Sequence, residues 1–119
     1  MNFGVWMIKK NLKDIEVEPV TKVNSVKTTI QWLITKKDGA NNFTMRRFEI
    51  QPGGKIGLHD HPEEHEIFIL QGTGEVFDSK GVTVRINPGD IVYVPPNEPH
   101  GYSNDGDEPL AFICVIPYL

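Results

Sequence analysis

Eleven glycines and nine prolines punctuate this chain. They gather in DGANN (38–42), QPGGKIG (51–57), QGTG (71–74), SKG (79–81), NPGD (87–90), PPNEP (95–99) and NDGDEP (104–109). Glycine admits positive φ and proline lacks a donor N–H, so both end regular structure. Between these clusters lie short runs rich in β-branched and aromatic residues: TTIQWLIT (28–35), NFTMRRFEI (42–50), HEIFIL (65–70), EVFD (75–78), VTVRI (82–86), IVYV (91–94) and LAFICVI (110–116). Short strands at such spacing predict an all-β sandwich or barrel. No window after residue 20 carries a helical apolar period, and 9–21 is expected to hold only a brief helical turn before Pro19. With no linker, repeat or low-complexity tract, residues 1–119 are read as one domain.

A chain of 119 residues is long enough to bury a core without staples. Its formal net charge of -4 and scattered lysines leave no basic face for phosphates, which argues against nucleic acid or an anionic membrane surface as partner. The single cysteine, Cys114, excludes an intrachain disulfide. The start, MNFGVWMIKK, places apolar residues before basic ones, the reverse of a signal peptide. No apolar run approaches the roughly 20 residues that span a bilayer. These features are read as a cytoplasmic protein.

Alternation along the runs assigns faces. In 42–50, Thr44, Arg46, Phe48 and Ile50 share one side, and Phe43, Met45, Arg47 and Glu49 the other. Both sides carry apolar residues, so either could meet the core.

The histidines are few and clustered. His59, His61 and His65 fall in LHDHPEEHEIFILQG (58–72), and His100 follows 35 residues after His65 in PPNEPHGYSN. Residues i and i+2 of a strand project to one side, so His59 and His61 can reach one point. Only one of the neighbours His65 and Glu66 can join them, because adjacent strand residues face opposite ways. His100 would return from a distant strand to close the group. Imidazole suits Mn, Fe, Ni, Cu and Zn, whereas a carboxylate favours harder ions.

The segment Gly53–Gly72, GGKIGLHDHPEEHEIFILQG, resembles the first motif of the cupin superfamily: Gly, five residues, His-x-His, three or four residues, Glu, and a later Gly, which here arrives one residue early. Gly89–Asn104, GDIVYVPPNEPHGYSN, resembles the second, with Gly89, Pro95, His100 and Asn104 in place and Asn97 where glycine is usual. Asparagine tolerates left-handed backbone better than most residues. The 16 residues between the motifs match compact microbial cupins. HDHPEEHEIF, with NFTMRRFEIQPGG before it and FICVIP near the C-terminus, is similar to small manganese cupins whose ion is held by four histidines.

That resemblance implies an RmlC-like double-stranded β-helix, a jelly-roll barrel, with His59, His61, His65 and His100 as metal ligands. Glu66 would be turned away, the alternative being Glu66 in place of His65. It implies a divalent ion, manganese before Fe, Ni, Cu or Zn. It also implies a homodimer in which an N-terminal arm within residues 1–20, above all the apolar FGVWMI (3–8), is exchanged between sheets. Arg46 is expected to hold an anionic substrate or pair with a glutamate, and Arg47 to be a surface partner of Glu49. Cys114 is expected to be a core thiol that can be oxidised or approach the ion, and Tyr102 to face with His100 and narrow the opening. Trp6 and Trp32 are read as packing or dimer residues, and Glu63 and Glu64 as solvated.

The function expected is a metal-dependent oxidoreductase of dioxygenase type acting on a small organic molecule. The alternatives are an isomerase or lyase in which the ion polarises a carbonyl without redox, and a non-catalytic cupin that binds a small ligand.

Overall fold

The computed structural model describes residues 2–3 and 7–118. Its strands are β1 (Asn2–Phe3), β2 (Met7–Ile8), β3 (Glu18–Pro19), β4 (Val26–Ile34), β5 (Phe43–His59), β6 (His65–Gln71), β7 (Gly74–Phe77), β8 (Thr83–Ile86), β9 (Ile91–Val94), β10 (His100–Ser103) and β11 (Leu110–Pro117). Single 3-10 turns at Leu12–Asp14 and Lys36–Asp38 are the helical content among the described residues. The first is the brief turn expected before Pro19. No helix of the described residues is long and apolar enough to cross a membrane.

All pairings are antiparallel, in the order β8-β7-β10-β5-β11-β6-β9, with β4 also on β5 and β3 on β4. The sheet curls into the double-stranded β-helix expected from the motifs. The expected N-terminal arm falls partly outside the described residues: β1 pairs with β2 through Asn2↔Ile8 and Phe3↔Met7, and residues 4–6, Trp6 included, are not described.

One expectation fails at the centre of the sheet. QPGGKIG reads as a break, yet β5 runs unbroken through it for 17 residues. Its first half pairs with β4 and β11, and its second half with β10 and, through Val26↔Lys55, with the start of β4. A strand that changes partners must bend, and glycine permits the bulge. Gly53 takes φ 80° there. Gly53 N–H donates to Asn104 O at 3.0 Å, and Asn104 N–H donates to Gly54 O at 3.0 Å. The Asn104 side chain, only 2% exposed, donates to Ile50 O and Glu108 O and accepts from Gly106 N–H. The last asparagine of the second motif therefore staples the corner of the first.

The core is the inner face of this curl. Ile50 and Leu110 are 0% exposed, and Ile69, Ile86, Phe112 and Cys114 are 1% exposed. Each such aliphatic side chain contributes about 1.5–3 kcal/mol by leaving water. Phe48 stacks on Phe112 with centroids 5.5 Å apart. Register with β11 settles the face that alternation left open: Phe48↔Phe112 and Ile50↔Leu110 meet inside, and Thr44 and Arg46 follow on that side.

Candidate metal centre

The four histidines come from strand ends that the sheet brings together. His59 ends β5 and His100 begins β10, and the two are register partners. His61 lies just beyond β5, where its carbonyl accepts the Asn97 N–H at 2.8 Å. Asn97 holds φ 63°, the left-handed turn expected where glycine is usual, so the two motifs are tied directly. His65 begins β6 opposite Val94.

Ligand-capable atoms of His59, His61 and His100 all lie within 4.8 Å of one another. His65 is not in that group of three but lies next to two of its members: its Nε2 is 2.6 Å from His61 Nε2, and its ring centre is 5.1 Å from that of His100. His65 is 5% exposed and points inward, while the neighbouring Glu66 is exposed on the outer face. Strand alternation produces that split.

Backbone carbonyls set two of the rings. His59 Nδ1 donates to Gly57 O at 2.7 Å and His100 Nδ1 donates to Glu98 O at 2.8 Å, which leaves Nε2 of each as the free lone pair. His100 Nε2 is buried with no hydrogen-bond partner. An orphaned buried acceptor beside three further imidazoles is the environment a divalent ion satisfies, and nitrogen donors suit Mn, Fe, Ni, Cu and Zn. The residues present therefore fit a metal. Burial keeps His65 and His100 neutral, as ligation needs. It pushes His65 down to about 2, helped by the Arg46 charge, and His100 down to about 4 against the opposing Glu98 hydrogen bond.

Behind His65 sit two of the expected candidates. Cys114 Sγ is 2.7 Å from His65 Nδ1, on the side of the ring away from the other histidines. Arg46 Nη2 donates to that sulfur at 3.0 Å and lies 3.2 Å from the same Nδ1. Burial pushes the Cys114 thiol up, with Arg46 opposing. The Arg46 guanidinium lies 5.0 Å above the Phe48 ring and 5.9 Å above the Trp32 ring. Its Nε is buried without a partner, and among the described residues no carboxylate forms an ion pair with it. Of the two roles expected for Arg46, pairing with a glutamate is not seen. Arg47 donates to Glu49 at 3.1 Å, as expected of an outer-face pair.

His100 lines a neighbouring cavity, whereas His59, His61, His65, Arg46 and Cys114 line one of about 490 Å³, with Phe48, Phe112 and Ile116 as apolar walls. Tyr102 is part of its wall rather than its opening: it is 4% exposed and packs between His100 and Phe112. Burial raises its phenol far above the ordinary value, so it stays protonated.

Three contributors escaped the sequence. Trp32, read as a packing or dimer residue, is 42% exposed and lines the cavity. Glu63, read as solvated, turns in: its Oε1 is buried 3.8 Å from His61 Nδ1. Glu18–Val23 forms the cavity's outer rim, and no periodicity marked it. The position of Glu63 beside the HDH pair was the only available signal for any of them.

Comparison with known proteins agrees with this fold. The Cupin domain family model matches residues 46–116. A curated oxalate-binding protein of Thermotoga maritima is 32% identical over 123 residues, which span 100% of both chains. The solved polyketide cyclase RemF of Streptomyces resistomycificus superposes with a TM-score of 0.88 at 32% identity, covering 93% of this chain and 79% of that one. A solved protein of Thermotoga maritima described as a predicted oxalate decarboxylase superposes with a TM-score of 0.83 at 27% identity, covering 94% of this chain and 100% of that one.

Proposed function

The chain belongs to the cupin family, and from that footing we propose that it is a metal-dependent enzyme for a small organic molecule carrying an anionic oxygen. The observation that carries this reading is an inward cluster of imidazoles sharing a cavity with a guanidinium that has no carboxylate partner. His59, His61, His65 and His100 would hold the ion, and Glu66 stays on the outer face. A divalent ion held there supplies a Lewis acid that polarises a substrate oxygen.

The remaining work falls to the chain. Arg46 binds a second substrate oxygen and stabilises charge that develops on it. The Tyr102 phenol, held protonated, is placed to donate a hydrogen bond. The Phe48 and Trp32 rings accept a flat substrate beside the Arg46 cation. The apolar walls exclude water, which strengthens each of these interactions. A cavity of about 490 Å³ has room for a substrate well beyond a two-carbon diacid. Similarity to a polyketide cyclase supports a larger oxygenated substrate and a step without redox, and similarity to an oxalate-binding protein supports the anionic group.

The dioxygenase reading is the second. The apolar side chains Phe48, Phe112 and Ile116 beside nitrogen ligands favour it, since a redox ion also needs water kept out. One experiment separates the two: protein loaded with Zn, Mn or Fe is offered enolisable β-dicarbonyl and phenolic carboxylate substrates with oxygen monitored. Turnover with redox-silent Zn and no oxygen uptake is expected. Turnover confined to Mn or Fe with oxygen consumed replaces the non-redox reading with the dioxygenase. Binding without product under all three metals makes the chain a ligand-binding cupin.

A further inference from the structure

The turn Lys22–Ser25 at the cavity rim has a backbone its sequence does not favour. Val23 and Asn24 take φ 51° and 55°, and Ser25 N–H donates to Lys22 O at 3.0 Å. Two successive left-handed residues make a type I′ turn, whose central positions are dominated by Asn, Asp and Gly. Val23 is β-branched, and for such a residue positive φ is an outlier. A conformation of this kind persists only where its surroundings over-determine it.

Here the surroundings are one residue of β5. Gly57 N–H donates to the Val23 carbonyl at 3.0 Å. A Cβ on Gly57 would overlap that carbonyl oxygen and crowd the Asn24 side chain, so only glycine lets the turn seat. The carbonyl of the same Gly57 accepts the His59 Nδ1–H at 2.7 Å. Val23 itself lines the cavity, as do Val20 and Lys22.

We infer that Gly57 is a positioning residue that ties the rim turn Lys22–Ser25 to the His59 imidazole, so that seating of the turn over the cavity and orientation of His59 are one event. Opening of the rim for a substrate would loosen the ring, and closing would restore it. The inference rests on the proposed function only in taking His59 for a metal ligand.

The test compares Val23→Pro with Val23→Gly. Proline fixes φ near about -65° and forbids the turn, whereas glycine keeps it without strain. Val23 is 40% exposed and outside the core, so the barrel should fold in both. In metal-free protein, amide exchange by NMR and the nitrogen shifts of the His59 ring are read together. For Val23→Pro, the Gly57 amide should exchange about 10-fold faster or more and His59 should leave its Nδ1–H tautomer. Zn²⁺ alone should then bind about 10-fold more weakly, the scale of losing an outer-shell partner. Val23→Gly should match or exceed wild-type protection and keep the tautomer. A freed turn with an unchanged His59 tautomer and unchanged Zn²⁺ affinity overturns the inference. If Val23→Pro also loses protection at Ile50 and Ile69, Gly57→Ala replaces it with the same readouts and the same overturning result. Wild-type protein that fails to bind Zn²⁺ or Mn²⁺ sinks the proposed function while the metal-free readouts still judge this coupling.

Discussion

The two faces of β6 are built from consecutive residues and do opposite work. Inward point His65, Ile67 and Ile69, at 5%, 2% and 1% exposure; outward point Glu66, Phe68 and Leu70, with Phe68 at 47% and Leu70 at 42%. The inner side chains have neighbours on β11 and β5: Cys114 and Arg46 lie behind His65, Cys114 is in register with Ile67 and Phe112 with Ile69. The outer ones meet water, or one another across the strand pair, as Phe68 meets Ile91. Hydrophobicity alone does not separate the faces, since phenylalanine and leucine lie outside. The difference comes from register, because a shift of one residue would exchange every side chain.

The largest contrast should be in metal content. His65→Ala is expected to lower bound metal at least about tenfold, while Glu66→Ala leaves it at the wild-type level, as read by elemental analysis after dialysis against limiting Zn²⁺. If Glu66→Ala alone empties the protein, the inner face does not supply the third ligand. A smaller contrast lies in stability. Ile69→Ala should cost about 2–5 kcal/mol by leaving a cavity, and Leu70→Ala about 0.5 kcal/mol or less, as surface changes do. Equal losses in denaturant titrations would show that the outer face is covered in solution, the result expected if the homodimer proposed from sequence buries it.

A graded effect is expected in the acid sensitivity of the metal-free protein. His65 and His100 have folded values below the unfolded one of about 6.5, so the unfolded chain takes protons first. Their contribution is complete above about pH 6.5 and is lost as pH falls, down to about 4 for His100 and about 2 for His65. Each group costs at most about 1.4 kcal/mol per pH unit across its window. Melting temperatures that stay flat between pH 7 and 4.5 would mean these rings are not buried as neutral bases.

Much of this arrangement was legible in the chain. Turn residues at short intervals called for a β fold, and HDH with a later His65 and His100 announced converging imidazoles. The left-handed Asn97 was foreseen from the chemistry of asparagine. The continuity of β5 through QPGGKIG was not, because glycine and proline mark a corner and a loop alike. Nor was the rim, since Glu18–Val23 has no apolar period and owes its place to β3 pairing with β4 and to Gly57.

Residue types and their spacing were enough to specify strands and turns, because those depend on neighbours within a few positions, whereas the grouping of His59, His61 and His65 with the distant His100 was implied by the resemblance to the cupin motifs. Which side of β5 is inner, whether Arg46 has a counter-charge, and where Glu63 and Trp32 point were settled by pairing between distant strands. Such choices turn on partners tens of residues away, where a local pattern that is apolar on both sides carries no information about direction.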